Sequence, residues 1–128
     1  MGGSFLLHTN IVIALFDNDA AVVAQFTGIR ATVPVPVVGE LDYGARNSAR
    51  SADNLARLER FIDKVQILPP DLDTARLYGQ IRRGLRLKGR PLPENDVWIA
   101  ALACQHDLTL VSRDAHFNEI GGLKLESW

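Results

Sequence analysis

Short apolar runs alternate with longer stretches of helical periodicity from one end of the chain to the other. Ser4 to Leu7 reads as a short strand, and Asn10 to Phe16 as a helix packed behind it. Ala20 to Phe26 offers Val22, Val23 and Phe26 as an apolar face, with Gly28 as its stop. Ile29 to Val35 is β-like, and Pro34 and Pro36 make it a short strand running into a turn. Val37 to Arg46 places Val37, Val38, Leu41 and Ala45 at helical spacing. Ser51 reads as the N-cap of a helix to Lys64, with Leu55, Leu58, Phe61 and Ile62 on one side. Val65 to Leu68 is a buried-strand pattern closed by Pro69 and Pro70. Asp71 caps a longer helix carrying Leu72, Ala75, Tyr78, Ile81 and Leu85, and Gly89 to Pro93 is a loop. Asn95 reads as the cap of a helix from Asp96 to Gln105, whose Ala100, Ala101 and Ala103 permit close approach to a sheet. Leu108 to Ser112 is a strand, and Lys124 to Glu126 forms one more.

This alternation predicts an α/β fold with a mostly parallel sheet, right-handed crossovers and helices on both faces. In open sheets of that kind ligands bind beyond the carboxyl ends of the strands, which directs attention to the residues just after each one. Composition adds three limits. At 128 residues and 47% hydrophobic, the chain is read as one domain whose core needs no disulfide or structural metal. Its single cysteine, Cys104, excludes an intrachain disulfide framework and a multi-cysteine zinc site, and reads as a small core residue. A formal net charge of −1 removes any strong overall pull on nucleic acid, so such contact must come from local patches. No apolar stretch reaches bilayer length, so no membrane partner is expected. The start MGGSFLLH lacks the basic region of a signal peptide, and Leu6 stands where myristoylation at Gly2 would want Ser or Thr. A cytoplasmic location is therefore expected.

The strand ends carry the chemistry. His8, Thr9 and Asn10 follow the first strand, and Arg113 and Asp114 follow the Leu108–Ser112 strand. Asp96 opens a helix after the Pro93-Glu94-Asn95 turn, and Glu40 lies about one turn inside the helix after the second strand. Carboxylates brought together repel one another unless a cation compensates. Oxygen-rich acidic sites suit Mg²⁺ or Mn²⁺, which can orient water for in-line attack on a phosphodiester and stabilise charge on the leaving oxygen.

Taken in order, LLHTNIVIALF, VVGELDYGA, PLPENDVWIAALA and LTLVSRDAHF resemble a PIN domain, closest to the VapC type of bacterial toxin–antitoxin systems. The resemblance spans essentially the whole chain. It implies a three-layer α/β/α sandwich, Mg²⁺- or Mn²⁺-dependent endoribonuclease activity on RNA, frequent homodimerisation and a VapB-like antitoxin as partner. Carried across residue by residue, Glu40, Asp96 and Asp114 match the acidic positions, Asn10 the polar residue after the first acid, and Ser112 the hydroxyl near the last. His8 is the departure, because the pattern there is Leu-Leu-Asp-Thr-Asn. The change removes a negative charge, and imidazole suits Zn²⁺ or iron better than Mg²⁺. Weaker Mg²⁺ binding, reduced hydrolysis and a shift toward Mn²⁺ are expected, with His8 as a metal ligand in place of the acid.

Each residue also has a plainer reading. Asp96 alone could serve the helix macrodipole, Asp114 a turn, Glu40 a solvated face beside Asp42, and Asn10 a helix cap. Glu94 and Asp107 read as surface residues, His106 as a helix C-terminal partner and His116 as a turn residue rather than a ligand. Trp98 and Leu102 read as packing. The basic cluster Arg82, Arg83, Arg86, Lys88 and Arg90 is equally a solvated helix end or a phosphate-tracking rim. Arg86, Lys88 and Arg90 run into the site loop and are the candidate RNA contacts. The helix bearing Arg57 and Arg60 is an alternative surface for an antitoxin. A rival to the nuclease reading is a catalytically impaired PIN fold that binds RNA or an antitoxin. A phosphatase or NTPase fits poorly, since there is no GxxxxGK loop and no Asp after the first strand.

Overall fold

The first strand, β1 (Phe5–Leu7), is short because its apolar run ends at His8, where the backbone turns into α1 (Thr9–Phe16). The computed structural model describes residues 4–128, so Gly2 and the lipidation reading placed on it lie outside the described residues. Asp19 caps α2 (Ala20–Phe26), its carboxylate accepting from the backbone N–H groups of Ala21 and Val22. The predicted stop is real: Gly28 has φ +87°, a conformation that suits a residue without Cβ.

β2 (Ala31–Pro34) is buried throughout and runs directly into α3 (Val35–Arg46). The helix begins two residues before the Val37 start read from the sequence, because Pro36 sits in the first turn, where a missing N–H costs no intrahelical bond. In α4 (Ser51–Ile62) the cap is Arg50 rather than Ser51, and Ser51 is already helical. β3 (Gln66–Leu68) precedes α5 (Leu72–Leu87). Asp71 caps α5 in a reciprocal box: Thr74 N–H donates to Asp71 Oδ1 at 3.1 Å, and Asp71 N–H to Thr74 Oγ1 at 2.9 Å.

Next comes α6 (Glu94–Gln105), whose cap is Pro93 and not Asn95. Asn95 fails as a cap because it already lies inside the first turn, with its amide turned toward Glu40. β4 (Thr109–Val111), a 3₁₀ turn over Ala115–Glu119 and β5 (Leu125–Glu126) complete the chain.

All pairings in the sheet are parallel, in the order β3-β2-β1-β4-β5. Right-handed crossovers then place α1 to α4 on one face and α5 and α6 on the other, giving the expected three layers. The fully buried Leu6, Leu7, Val33, Leu110 and Val111 form the sheet's share of the core. Each such side chain contributes about 1.5–3 kcal/mol on burial. Helix α6 is buried on nearly every side, with Val97 and the whole run Ile99 to Ala103 inaccessible. Its alanines let it lie close to the sheet, while Trp98 stacks on Tyr78 of α5 with ring centroids 4.2 Å apart.

The chain adds strands outward from β1 through β2 to β3, then returns to place β4 on the other side of β1. That reversal opens a crevice beyond the carboxyl ends of β1 and β4. His8 and Ser112 are the first residues past those two ends.

Candidate active site

His8 is fixed by the backbone on both sides. Its N–H donates to Val111 O at 3.0 Å, extending the β1–β4 ladder, and its carbonyl accepts from Ile11 N–H at 3.1 Å as α1 starts. The ring is consequently held inside the crevice, only 4% exposed, with Phe117 edge-on at 5.0 Å. Nε2 lies 2.9 Å from Asp96 Oδ1, and Nδ1 lies 2.9 Å from Ser112 Oγ and 3.7 Å from Asp114 Oδ2.

Asp96 reaches the same point from the opposite helical layer. It lies in the first turn of α6, where the helix dipole favours an anion, and is 7% exposed. Asp114 follows β4 and stays half-exposed, with its N–H donating to Ser112 Oγ at 3.0 Å. His8, Asp96 and Asp114 offer donor atoms within 4.8 Å of one another.

Asn10 braces the arrangement rather than capping α1. Its amide donates to Ser112 Oγ at 3.4 Å, and its Oδ1 accepts from Arg113 N–H at 3.3 Å. Arg113 turns away, donating to Asp19 Oδ2 at 3.0 Å and to the Trp128 carbonyl at 2.9 Å. That guanidinium, with the Val22 N–H, holds the Asp19 carboxyl below the usual carboxylate range.

Glu40 stands outside the compact cluster. Its Oε1 accepts from the Asn95 amide at 3.2 Å, at the edge of an apolar groove lined by Ile13, Phe16, Leu41 and Leu58. Glu94 is drawn the other way, accepting from the Tyr78 hydroxyl at 3.0 Å. Of the basic candidates, Lys88 is engaged by the Glu119 carbonyl, whereas Arg86 and Arg90 are exposed and make no ion pair among the described residues. Burial pushes the Cys104 thiol up, consistent with an inert packing residue.

The residue that sequence reasoning missed is His116. It does lie on a turn, but the 3₁₀ geometry folds its ring back over the acids. Its Nε2 is 3.0 Å from Asp96 Oδ2 and 4.0 Å from Asp114 Oδ2. The approach falls outside hydrogen-bond geometry, so the contact with Asp96 is electrostatic, and the nitrogen is closed to solvent. The signal available in the sequence was its place two residues after Asp114, directly before the buried Phe117.

The donor set suits a divalent cation. Two carboxylates in one crevice need a compensating charge, and His8, Asp96 and Asp114 each bring a donor atom to the same point. An imidazole among the donors suits the transition series better than Mg²⁺.

Comparison with known proteins agrees with this architecture. The PIN domain family model matches residues 5–123. The chain is 34% identical over 128 residues to the tRNA(fMet)-specific endonuclease VapC of Shigella flexneri, covering 97% of each chain. It is 27% identical over 130 residues to ribonuclease VapC1 of Haemophilus influenzae strain R2866, again over 97% of each. Among solved structures, the DNA-bound VapBC of Salmonella typhimurium superposes with a TM-score of 0.91 at 32% identity, covering 99% of both chains. VapBC2 of Rickettsia felis, bound to a promoter DNA fragment, gives a TM-score of 0.91 at 26% identity over 98% of both. On sequence and fold alike, the chain belongs to the PIN-domain family, on its VapC ribonuclease branch.

Proposed function

We propose that this chain is the endoribonuclease toxin of a VapBC-type toxin–antitoxin pair and that it cuts RNA with the help of a divalent ion. The observation that carries this reading is the meeting of Asp96 and Asp114 with His8 at the reversal point of the sheet. A divalent ion there, Mg²⁺ or Mn²⁺, would supply positive charge for the scissile phosphate and activate water. Asp96, Asp114 and His8 would hold it, and Glu40 with Asn95 forms the crevice rim. Asn10 and Ser112 keep the ring of His8 and the loop of Asp114 in place. Arg86 and Arg90 present free guanidinium groups to backbone phosphates. A VapB-like antitoxin is the corresponding partner, with a second copy of the chain completing a homodimer.

Transfer RNA is the first substrate to offer, because the Shigella flexneri relative is named for cutting tRNA(fMet). Incubation of the chain with tRNA and with unstructured RNA, with Mn²⁺, Mg²⁺ or EDTA, tests the reading on a denaturing gel. Cleavage is expected only with the divalent ion and is lost in Asp96→Asn. Cleavage that survives both EDTA and that substitution would overturn it.

One observation favours a second reading, a binding module with poor catalysis: the His8 ring already occupies Asp96 Oδ1 at 2.9 Å. His8→Asp separates the two readings. A large gain in Mg²⁺-supported cleavage marks the parent as impaired, and equal rates mark His8 as a working part of the site.

A further inference from the structure

Asp114 is the least supported of the three donors in the crevice. Its Oδ2 lies 3.7 Å from His8 Nδ1 and 4.0 Å from His116 Nε2, beyond hydrogen-bond reach, and its side chain is half-exposed. The carboxylate is therefore placed by the backbone that carries it. That backbone is extended at Asp114, with φ −84° and ψ 112°, so successive side chains point to opposite sides. Ser112 and Asp114 face His8, and Arg113 between them faces outward.

The Arg113 guanidinium ends on two separate supports. One is Asp19 Oδ2 at 3.0 Å, on the carboxylate that also caps α2. The other is the Trp128 carbonyl at 2.9 Å, on a residue whose ring lies edge-on to Phe5 of β1 with centroids 5.6 Å apart. Its backbone N–H is fastened too, donating to Asn10 Oδ1 at 3.3 Å. A planar, permanently charged fork held at two points leaves little freedom to the residue that bears it.

We propose that Arg113 is a positioning residue, an outward anchor that keeps the Asp114 carboxylate turned into the crevice for the divalent ion. The inference rests on the reading of His8, Asp96 and Asp114 as the metal-holding set and adds to it the arm that orders its weakest member. A guanidinium occupied by Asp19 and Trp128 is not free to contact phosphate, which separates this role from that of Arg86 and Arg90.

The test titrates the full chain with MnCl₂ by calorimetry and follows RNA cleavage at saturating Mn²⁺. Arg113→Gln is expected to weaken Mn²⁺ binding about tenfold and to lower kcat by about tenfold or more, with KM for RNA unchanged. Asp19→Asn releases the same arm from its far end while keeping an oxygen for the α2 cap. It is expected to shift both quantities the same way by a smaller factor. Added to Asp114→Asn, Arg113→Gln is expected to weaken Mn²⁺ no further, because the arm then has no carboxylate to place. Circular dichroism confirms that each variant is folded.

If Asp114→Asn weakens Mn²⁺ binding but Arg113→Gln does not, the proposal fails while the metal site stands. It fails equally if Arg113→Gln costs the same factor in the Asp114→Asn background, or if its effect falls on KM and on the salt dependence of RNA binding. If Asp96→Asn and Asp114→Asn both leave Mn²⁺ binding unchanged, the metal-site reading itself fails, and the proposal with it.

Discussion

At the scale of single residues, the crevice shows how one substitution reorganises a charge balance. An acid at position 8 would add a third carboxylate beside Asp96 and Asp114. His8 instead offers Asp96 a ring nitrogen at 2.9 Å, so the repulsion that a third carboxylate would add is absent. Asp19 shows the same logic on the surface, where its carboxyl is held low mainly by Arg113 and then by the Val22 N–H. A depressed folded pKa stabilises above the unfolded value of about 3.9 and is lost as pH falls through the folded value. Asp19→Asn keeps an oxygen for the cap but loses the charge. Its melting temperature is expected to fall below the parent's at neutral pH, with the gap closing below about pH 4. A gap that persists unchanged in acid would show that Arg113 contributes nothing through charge.

At the scale of elements, α6 is where packing leaves the least tolerance. Ala100 is fully buried on a helix enclosed on nearly every side, so Ala100→Leu has no free space to enter. The cost is expected to be about 1–3 kcal/mol by denaturant unfolding, and a neutral result would reveal slack between helix and sheet. At the head of α5, Thr74→Ala removes the acceptor for Asp71 N–H, together with a contact to Gln105, and is expected to cost roughly 1–2 kcal/mol.

These elements also show what the sequence can and cannot express. The strands and α-helices were legible in the periodicity, the 3₁₀ turn over Ala115–Glu119 was not, and Asp71 as a cap was legible in its side-chain chemistry. Ser51 and Asn95 were misread because cap preference is local, while the actual helix start is decided by where the chain leaves the preceding loop. The position of Asp96 and Asp114 at strand and helix ends followed from topology. His116 did not, because a turn's spacing says nothing about which way a ring points. Glu40 shows the converse: a matching position in the sequence placed it at the crevice, but its side chain is drawn to Asn95 at the rim.

At the scale of the whole molecule, charge has to be steered by local features. The net charge is −1, and the acidic crevice would repel an RNA backbone unless cations flank it. Arg86, in the last turn of α5, and Arg90, in the loop that leads into α6, are exposed and without ion-pair partners among the described residues, whereas Lys88 is anchored to the 3₁₀ turn at Glu119. Phosphate contacts by the two arginines release counterions, so affinity falls as salt rises. Replacing both with Gln removes two such contacts. For single-stranded RNA the plot of log affinity against log salt is expected to become shallower by roughly 1.4, since each contact contributes about 0.7. Lys88→Gln is expected to change the slope far less, because its ammonium is already held. Fluorescence anisotropy measures both, with Asp96→Asn as the common background so that the RNA survives the titration. An unchanged slope in the double variant would move the RNA path off the α5–α6 loop.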